Sequence, residues 1–386
     1  MIKNIGLHEP YFVGNEQKYL LKCIKDNWVS SAGKYVDLFE KKICQFTKSK
    51  NAVAVLNGTI GLQMSLILAG TKKDDEIIVP TITFVATVNA IKHAGAEPIF
   101  MDTDKNFNIN QSKCIDFIFN NTIFKNNFTF NTSTGKKIVA LMIVHTFGNA
   151  ANFDKLLKIC KERNIKIIED AAESIGTKYI KGKFKNKHTG TVGDFGVISF
   201  NGNKTITTGN GGVILIKDSY LTKKARYLIT QAKDKQLAFI HDEVGYNFRL
   251  SNICAALGVA QIEKINIILK KKKKINTYYK NKINVIKGLS ILESPIYANN
   301  NNWLNVMKVN KNVYKKNAES LLYILNKNGI QARPIWKPNH QQKPYRLNKK
   351  FKINSNINDY KDYICLPSSA QLSIKDLNFI TKVLKG

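Results

Sequence analysis

Two spacings of apolar residues divide the chain. Residues 16–46 carry apolar positions three or four apart, in EQKYLLKCIKDNW (16–28) and YVDLFEKKICQF (35–46). That spacing predicts two amphipathic helices. From residue 51 the texture changes to short apolar runs: NAVAVL (51–56), EIIVP (76–80), PIFMD (98–102), IVALMIV (138–144), IKIIED (165–170), VGDFGVISF (192–200) and GVILIK (212–217). Helix-like stretches such as GLQMSLILAG (61–70) and FDKLLKICKERN (153–164) separate most of them. Strands apolar on both sides need cover on both sides, so the pattern predicts an α/β fold with a mainly parallel sheet between helical layers. Only FNGNKTITTGNG (200–211) joins the last two runs, which is too short for a helical crossover. A hairpin-like connection is expected there.

Beyond residue 255 the pattern loosens. QIEKINIILKKKKKINTYYKNKI (261–283) predicts a long helix with a polar face. Residues 286–386 mix short strands with helices such as AESLLYILNKNG (318–329) and SIKDLNFITKVLK (373–385). The expected organisation is a large domain over 12–255 and a small α+β domain over 256–386, packed with residues 1–11. FNNTIFKNNFTFNTSTGK (119–136) is expected to be a surface loop or edge insertion, and NNNN (299–302) a loop. There is no internal repeat.

Charge changes the picture less than its size suggests. The 386 residues hold 60 Lys and Arg against 28 Asp and Glu, a net charge of +32. The lysines are spread through a chain saturated with Lys, Asn and Ile, not gathered in one arm, so they read as compositional bias and not as a nucleic-acid surface. The strongest run, Lys270 to Lys274, is expected to surround a solvated helical segment. Six cysteines at 23, 44, 114, 160, 254 and 365 show no CxxC or CxxH spacing, which argues for reduced thiols and against zinc. No apolar stretch approaches the roughly 18 uninterrupted residues of a membrane span, and the N-terminus lacks a signal-like apolar core. A cytoplasmic location without membrane or nucleic-acid partners is expected.

Three places carry candidate chemistry. NGTIGL (57–62) follows a strand and opens a helix, where Gly58, Thr59 and free amides can hold a phosphate, or where Thr59 is an ordinary N-cap. Asp170 ends a strand expected to be central, at the ligand edge of such a sheet, or caps the next helix. Lys204 follows Ser199 and Phe200 among Gly, Ser and Thr, where an amine can form a Schiff base, or it is a surface lysine. Together the three match the needs of pyridoxal phosphate: a phosphate anchor, a carboxylate for the ring nitrogen and an amine for the aldehyde.

The chain resembles the DegT/DnrJ/StrS sugar aminotransferases, within the fold type I, aspartate aminotransferase-like group. The matching segments are WVSSAGKYVDLFE, NGTIGLQMSL, PTITFVATVNAI, HTFGNAANFD, EDAAESIGTKY, GDFGVISFNGNKTITTGNGGVI, GYNFRLSNICAALGVAQ, ARPIWKPNH and CLPSS. The resemblance implies a mostly parallel seven-stranded sheet with a smaller α+β domain. It implies that Lys204 carries the cofactor and that Asp170 pairs with its ring nitrogen. Phe84 would stack on the ring, and Gly58, Thr59 and Ser199 would hold the phosphate. Asn247 would reach the phosphate from the other protomer of a homodimer with shared sites. Glu173 stands where many members have Gln, near the ring's 3-oxygen, and an ionised Glu cannot donate a hydrogen bond. It is therefore expected to bear on substrate or proton handling. Related dehydratases carry His at the Lys204 position, so lysine favours transamination.

Other candidates are open to two readings. His145 lines the pocket or is a satisfied core histidine. Lys337 and His340 are substrate-side groups or plain loop residues. Trp28, Ser30 and Ser31 touch substrate or pack. The implied reaction moves an amino group from L-glutamate, through pyridoxamine phosphate, to C4 of a nucleotide-linked 4-keto-6-deoxy sugar. UDP-4-keto-6-deoxy-N-acetylglucosamine is the expected substrate, on a route to bacillosamine-type or legionaminic-acid-type surface sugars. A GDP- or dTDP-linked sugar, of perosamine type, is the alternative.

Overall fold

A computed structural model describes residues 4–233 and 240–385. Seven strands form the body of the main sheet: β1 (Asn51–Val55), β2 (Glu76–Pro80), β3 (Glu97–Met101), β4 (Lys137–Val144), β5 (Lys166–Asp170), β6 (Phe195–Ser199) and β7 (Gly212–Ile216). Their order is β1-β7-β6-β5-β4-β2-β3. The pairs β2–β3, β2–β4, β4–β5 and β5–β6 are parallel, whereas β7 runs against both β6 and β1. The short β6–β7 connection expected from the sequence forces that reversal.

Helices cover both faces. They are α1 (Glu16–Lys25), α2 (Lys34–Thr47), α3 (Gly58–Leu68), α4 (Val85–His93), α5 (Gln111–Asn120), α6 (Asp154–Glu162), α7 (Ser219–Ile229), α8 (Asn252–Ile283), α9 (Ala318–Lys327) and α10 (Ile374–Lys385). Alternate strand residues face opposite layers. Val53 and Val55 pack with Leu62 of α3, Val88 of α4 and Leu228 of α7. Ala52 and Ala54 pack instead with Val36, Phe39 and Ile43 of α2 and with Val259 of α8. Beyond β4, Ile138, Leu141 and Ile143 meet Phe117 of α5 and Leu156 of α6.

A second sheet holds β8 (Leu289–Ile291), β9 (Asn305–Val309), β10 (Arg333–Pro334) and β11 (Tyr363–Leu366), in the antiparallel order β8-β9-β11-β10. Its core includes Leu321 of α9, Ile380 of α10 and Ile5, which bridges to Ile330. Residues 1–3 and 386 of the expected small-domain assembly lie outside the described residues. The 32-residue α8 runs through the expected boundary at 255/256 and serves both cores, with Ile265 in the large one and Ile275 and Tyr279 in the small one. By length and composition α8 could cross a membrane, but 56% of its apolar window is buried inside the protein.

Three expectations change. Residues 122–125 and 128–131 form an antiparallel hairpin, so of the two readings the loop gives way to the insertion, and its second strand joins the start of β4. Asn126 and Asn127 turn it with φ of 50° and 61°, which asparagine tolerates in a tight hairpin. The lysine run is not wholly solvated either. Lys272 is fully buried, because it continues the Ile268, Ile275, Tyr279 stripe at helical spacing. Its Nζ donates to Trp303 O at 3.1 Å and Ser368 O at 2.7 Å and lies 2.8 Å from His8 Nε2. Burial pushes its ammonium down to about 7. The NNNN tract also does more than form a loop, as its place beside the cavity shows below.

Phe39 is fully buried and meets Phe200 edge-on, with ring centroids 5.1 Å apart. Phe39→Ala should cost about 3–5 kcal/mol, read as a lower urea midpoint with the far-ultraviolet spectrum of the native state retained.

Candidate active site

The carboxyl ends of the parallel strands open into a cavity of about 580 Å³. It gathers Gly58, Thr59, Phe84, His145, Asp170, Glu173, Ser199 and Lys204 from segments far apart in sequence. At one end stands the first turn of α3. Asn57 caps it, accepting from Ile60 N at 2.9 Å through Oδ1. The amides of Gly58 and Thr59 have no intrahelical acceptor, and the positive end of the helix adds to their pull on an anion. Gly58 has to be glycine: a Cβ there would lie 2.9 Å from Ser199 Cβ.

Asp170 ends β5. Its carboxylate accepts from Thr87 Oγ1 at 2.7 Å and from Ala172 N at 3.1 Å. Burial pushes it above the usual carboxylate range, against the pull of Thr87, Ala172 and the Lys204 charge. Among the described residues no ion pair reaches it. A protonated ring nitrogen would supply the missing cation, so these residues fit pyridoxal phosphate.

Lys204 Nζ lies 3.4 Å from Glu173 Oε1 and 4.3 Å from the centroid of the Trp303 ring. Glu173 Oε2 accepts from Phe147 N at 2.9 Å. Burial pushes the Glu173 carboxyl up to about 7; Lys204 opposes this and Asp170 adds to it. Glutamate here therefore meets a lysine and an amide hydrogen, both donors, and needs none of the donor capacity of glutamine.

His145 unites both of its readings. It lines the cavity, yet both nitrogens are engaged: Nε2 lies 2.9 Å from Glu169 Oε2, and Nδ1 accepts from Ala151 N at 3.1 Å. That pattern places the ring proton on Nε2. Glu169 is fully buried and accepts from Gly190 N at 2.9 Å and from Val192 N and Gly193 N at 2.6 Å. Burial alone would raise this carboxyl, but His145 and the loop amides outweigh it and hold it below the usual range.

Several residues in or beside the cavity escaped the sequence reading. Asn301, from the NNNN tract, is buried and donates from Nδ2 to Glu173 O at 2.7 Å, Ile175 O at 3.0 Å and Thr205 Oγ1 at 3.2 Å. Gly148, at φ 86°, makes room for it, since a Cβ would fall 2.1 Å from Asn301 Oδ1. Trp303 follows, and its Nε1 donates to Asn203 O at 2.8 Å, next to Lys204. His8, Arg333 and Trp336 also line the cavity. The Trp336 ring stacks on Phe147 at 4.6 Å and lies 5.9 Å from Phe84. An asparagine tract in an asparagine-rich chain gave no signal of this role.

Other candidates lie outside the cavity of their own chain. Trp28 is 55% exposed, and Ser30 and Ser31 follow it in the same turn, where Ser30 O accepts from Asn252 N at 2.7 Å. Lys337 is exposed. His340 is held at 2.6 Å between its Nδ1 and Thr81 Oγ1, beside Phe100. Asn247 is exposed and bridges to Thr230.

Comparison with known proteins bears on the family and the fold. The model of the DegT/DnrJ/EryC1/StrS aminotransferase family matches residues 10–385. GDP-perosamine synthase of Escherichia coli O157:H7 is 37% identical over 283 residues, 73% of this chain and 72% of that protein. UDP-4-amino-4,6-dideoxy-N-acetyl-beta-L-altrosamine transaminase of Campylobacter jejuni (serotype O:23/36, strain 81-176) is 28% identical over 368 residues, 95% and 92% of the two chains. The solved structure of a DegT DnrJ EryC1 StrS aminotransferase from Brucella abortus superposes with a TM-score of 0.84 at 25% identity, covering 96% of this chain and 95% of that one.

Glu169→Gln would replace one accepting oxygen with an amide facing donors. It should cost about 1–3 kcal/mol in urea unfolding at neutral pH. A depressed carboxyl contributes its full stability above the unfolded value of about 4.3, and loses it as pH falls through the folded value. The gap between wild type and variant should therefore narrow below about pH 4.

Proposed function

The chain belongs to the DegT/DnrJ/EryC1/StrS aminotransferase family, and from that premise we propose that it aminates C4 of a nucleotide-linked 4-keto-6-deoxy sugar. Pyridoxal phosphate is its cofactor, as in the family, and L-glutamate is the proposed amino donor. The observation that carries the reading is the convergence of Lys204, Asp170, Glu173 and the open α3 amides on one cavity. The UDP-linked N-acetylated sugar is the first reading. It is supported by EDAAE at 169–173 and by the near full-length alignment with a relative named for a UDP-linked 4-amino-4,6-dideoxy sugar. A GDP-linked sugar is the second, favoured by the higher identity to relatives named GDP-perosamine synthase.

When bound, pyridoxal phosphate supplies the electron sink for exchanging an amino and a keto group. The chain's residues divide the remaining work. Gly58 and Thr59 amides, with Ser199, hold the phosphate. Asp170 keeps a proton on the ring nitrogen, and Thr87 and Ala172 fix the carboxylate that does so. Phe84 packs on the ring face. Lys204 anchors the cofactor and moves the proton at the reacting carbon. Glu173 stays beside Lys204 and can take or return a proton near neutral pH. Trp303 walls that amine from water. Asn247, exposed and outside its own cavity, serves the site of a second copy in a homodimer. The proposed location is the cytoplasm, where nucleotide sugars are made.

The test is a pair of half-reactions followed through the cofactor's absorption. Glutamate should discharge the enzyme, and UDP-4-keto-6-deoxy-N-acetylglucosamine should recharge it faster than the GDP- or dTDP-linked sugars. Recharging by the GDP-linked sugar alone would overturn the nucleotide and keep the chemistry. No discharge by glutamate would overturn the donor. Lys204→Ala should abolish both half-reactions. Glu173→Gln should remove the limb near pH 7 from the rate of the sugar half-reaction while leaving the cofactor bound; an unchanged pH profile would remove Glu173 from proton handling.

A further inference from the structure

Resting on that reading, the charge inventory of the cavity leaves one group without a task. Both proposed substrates are anions: glutamate has two carboxylates, and a nucleotide sugar has a diphosphate. The cavity lining itself holds three carboxylates, Glu9, Asp170 and Glu173. Its lysines and arginines are Lys204 and Arg333. Lys204 is paired with Glu173 and carries the chemistry. His145 has both nitrogens engaged in the core. Burial and the charges of Lys272 and Lys204 hold His8 well below the usual histidine range, so it stays uncharged at neutral pH. An anionic substrate entering here meets Arg333 as the remaining cation among the described lining residues.

The local geometry suits that task. Arg333 opens β10, paired in register with Cys365 of β11 at the edge of the second sheet. One terminal nitrogen, Nη1, donates to Ala332 O at 3.1 Å and to Asn326 Oδ1 at 3.4 Å. Those two contacts anchor one prong of the guanidinium. Both partners are uncharged, and no carboxylate among the described residues pairs with Arg333. The side with Nε and Nη2 keeps its donors. That edge of a guanidinium matches two oxygens of one carboxylate or phosphate. Pro334 and Trp336 flank it along the wall that leads to Phe84.

We propose that Arg333 is the substrate-anion clamp of this cavity, binding a carboxylate or phosphate through its Nε–Nη2 edge. Lys337, which the sequence offered for that purpose, is exposed and outside the cavity lining. A clamp of this kind acts on binding and orientation, not on proton transfer. Its loss belongs in KM, with kcat changed less, if the anion is held equally in ground and transition states.

Arg333→Gln and Arg333→Lys, both at an exposed position, test this in the cofactor-bound enzyme. Each half-reaction is measured separately, and binding of UDP, GDP and 2-oxoglutarate is measured by calorimetry. The expected result is a rise of about tenfold or more in KM for one half-reaction, with matching loss of affinity for the corresponding probe. Arg333→Lys should recover only part of it, because an ammonium cannot offer two parallel donors. Loss confined to glutamate and 2-oxoglutarate assigns the clamp to the donor's carboxylate. Loss confined to the sugar and its nucleoside diphosphate assigns it to the diphosphate. Variants with wild-type KM values and affinities in both arms would overturn the inference while leaving the transaminase reading intact. Failure of wild type itself in both half-reactions would count against that reading instead.

Discussion

Glu169 carries a negative charge into the floor of the main sheet, out of reach of water, and four donors converge on it. Three are amides of the 190–193 loop and the fourth is His145 Nε2. A buried carboxylate left short of donors is expensive. Its satisfaction therefore fixes the loop, the histidine tautomer and the strand ends they join. Asp170 is the next residue on the same strand and must face the other way. One carboxylate is thus spent on structure so that its neighbour can be presented, short of a cation, to the cavity.

A second set of polar contacts ties the two cores together behind Lys204. Asn301 holds the carbonyls of Glu173 and Ile175, Trp303 lies against the Lys204 amine, and Lys272 holds Trp303 O from α8. These groups come from the segment after α8 and from α8 itself, while Lys204 comes from the β6–β7 connection. The position of the Lys204 amine depends on contacts between the main sheet and the second sheet's layer. Small residues permit this closeness, as Gly148 does for Asn301.

The strong positive charge of the chain has little presence inside the cavity. Three carboxylates line it beside one lysine and one arginine. Glu173, pushed up to about 7 by burial, sits where its charge responds to Lys204 on one side and Asp170 on the other. The site is balanced near neutrality by buried groups, whereas the excess lysines lie on the outside. Lys272 departs from this pattern: it is buried with neutral partners and held down to about 7.

The sequence by itself determined the seven central strands, their alternation with helices, the reversal at β6–β7 and the three candidate places, Thr59, Asp170 and Lys204, that one cavity gathers. These follow from local periodicity and from the need of doubly covered strands to end at one ligand edge. Only the tertiary structure set Lys272 and Arg333 apart from the other basic residues, 60 in all. Lys272 reads as one of five consecutive lysines until the Ile268–Ile275 stripe is docked between two cores, and Asn301 reads as one of four asparagines until it meets the Glu173 carbonyl. Arg333 and Lys337 are four residues apart, yet one lines the cavity and the other is exposed outside its lining. The reason is physical: local spacing fixes which face of an element is apolar, but a hydrogen bond or a charge gains its value from partners that only packing brings within reach.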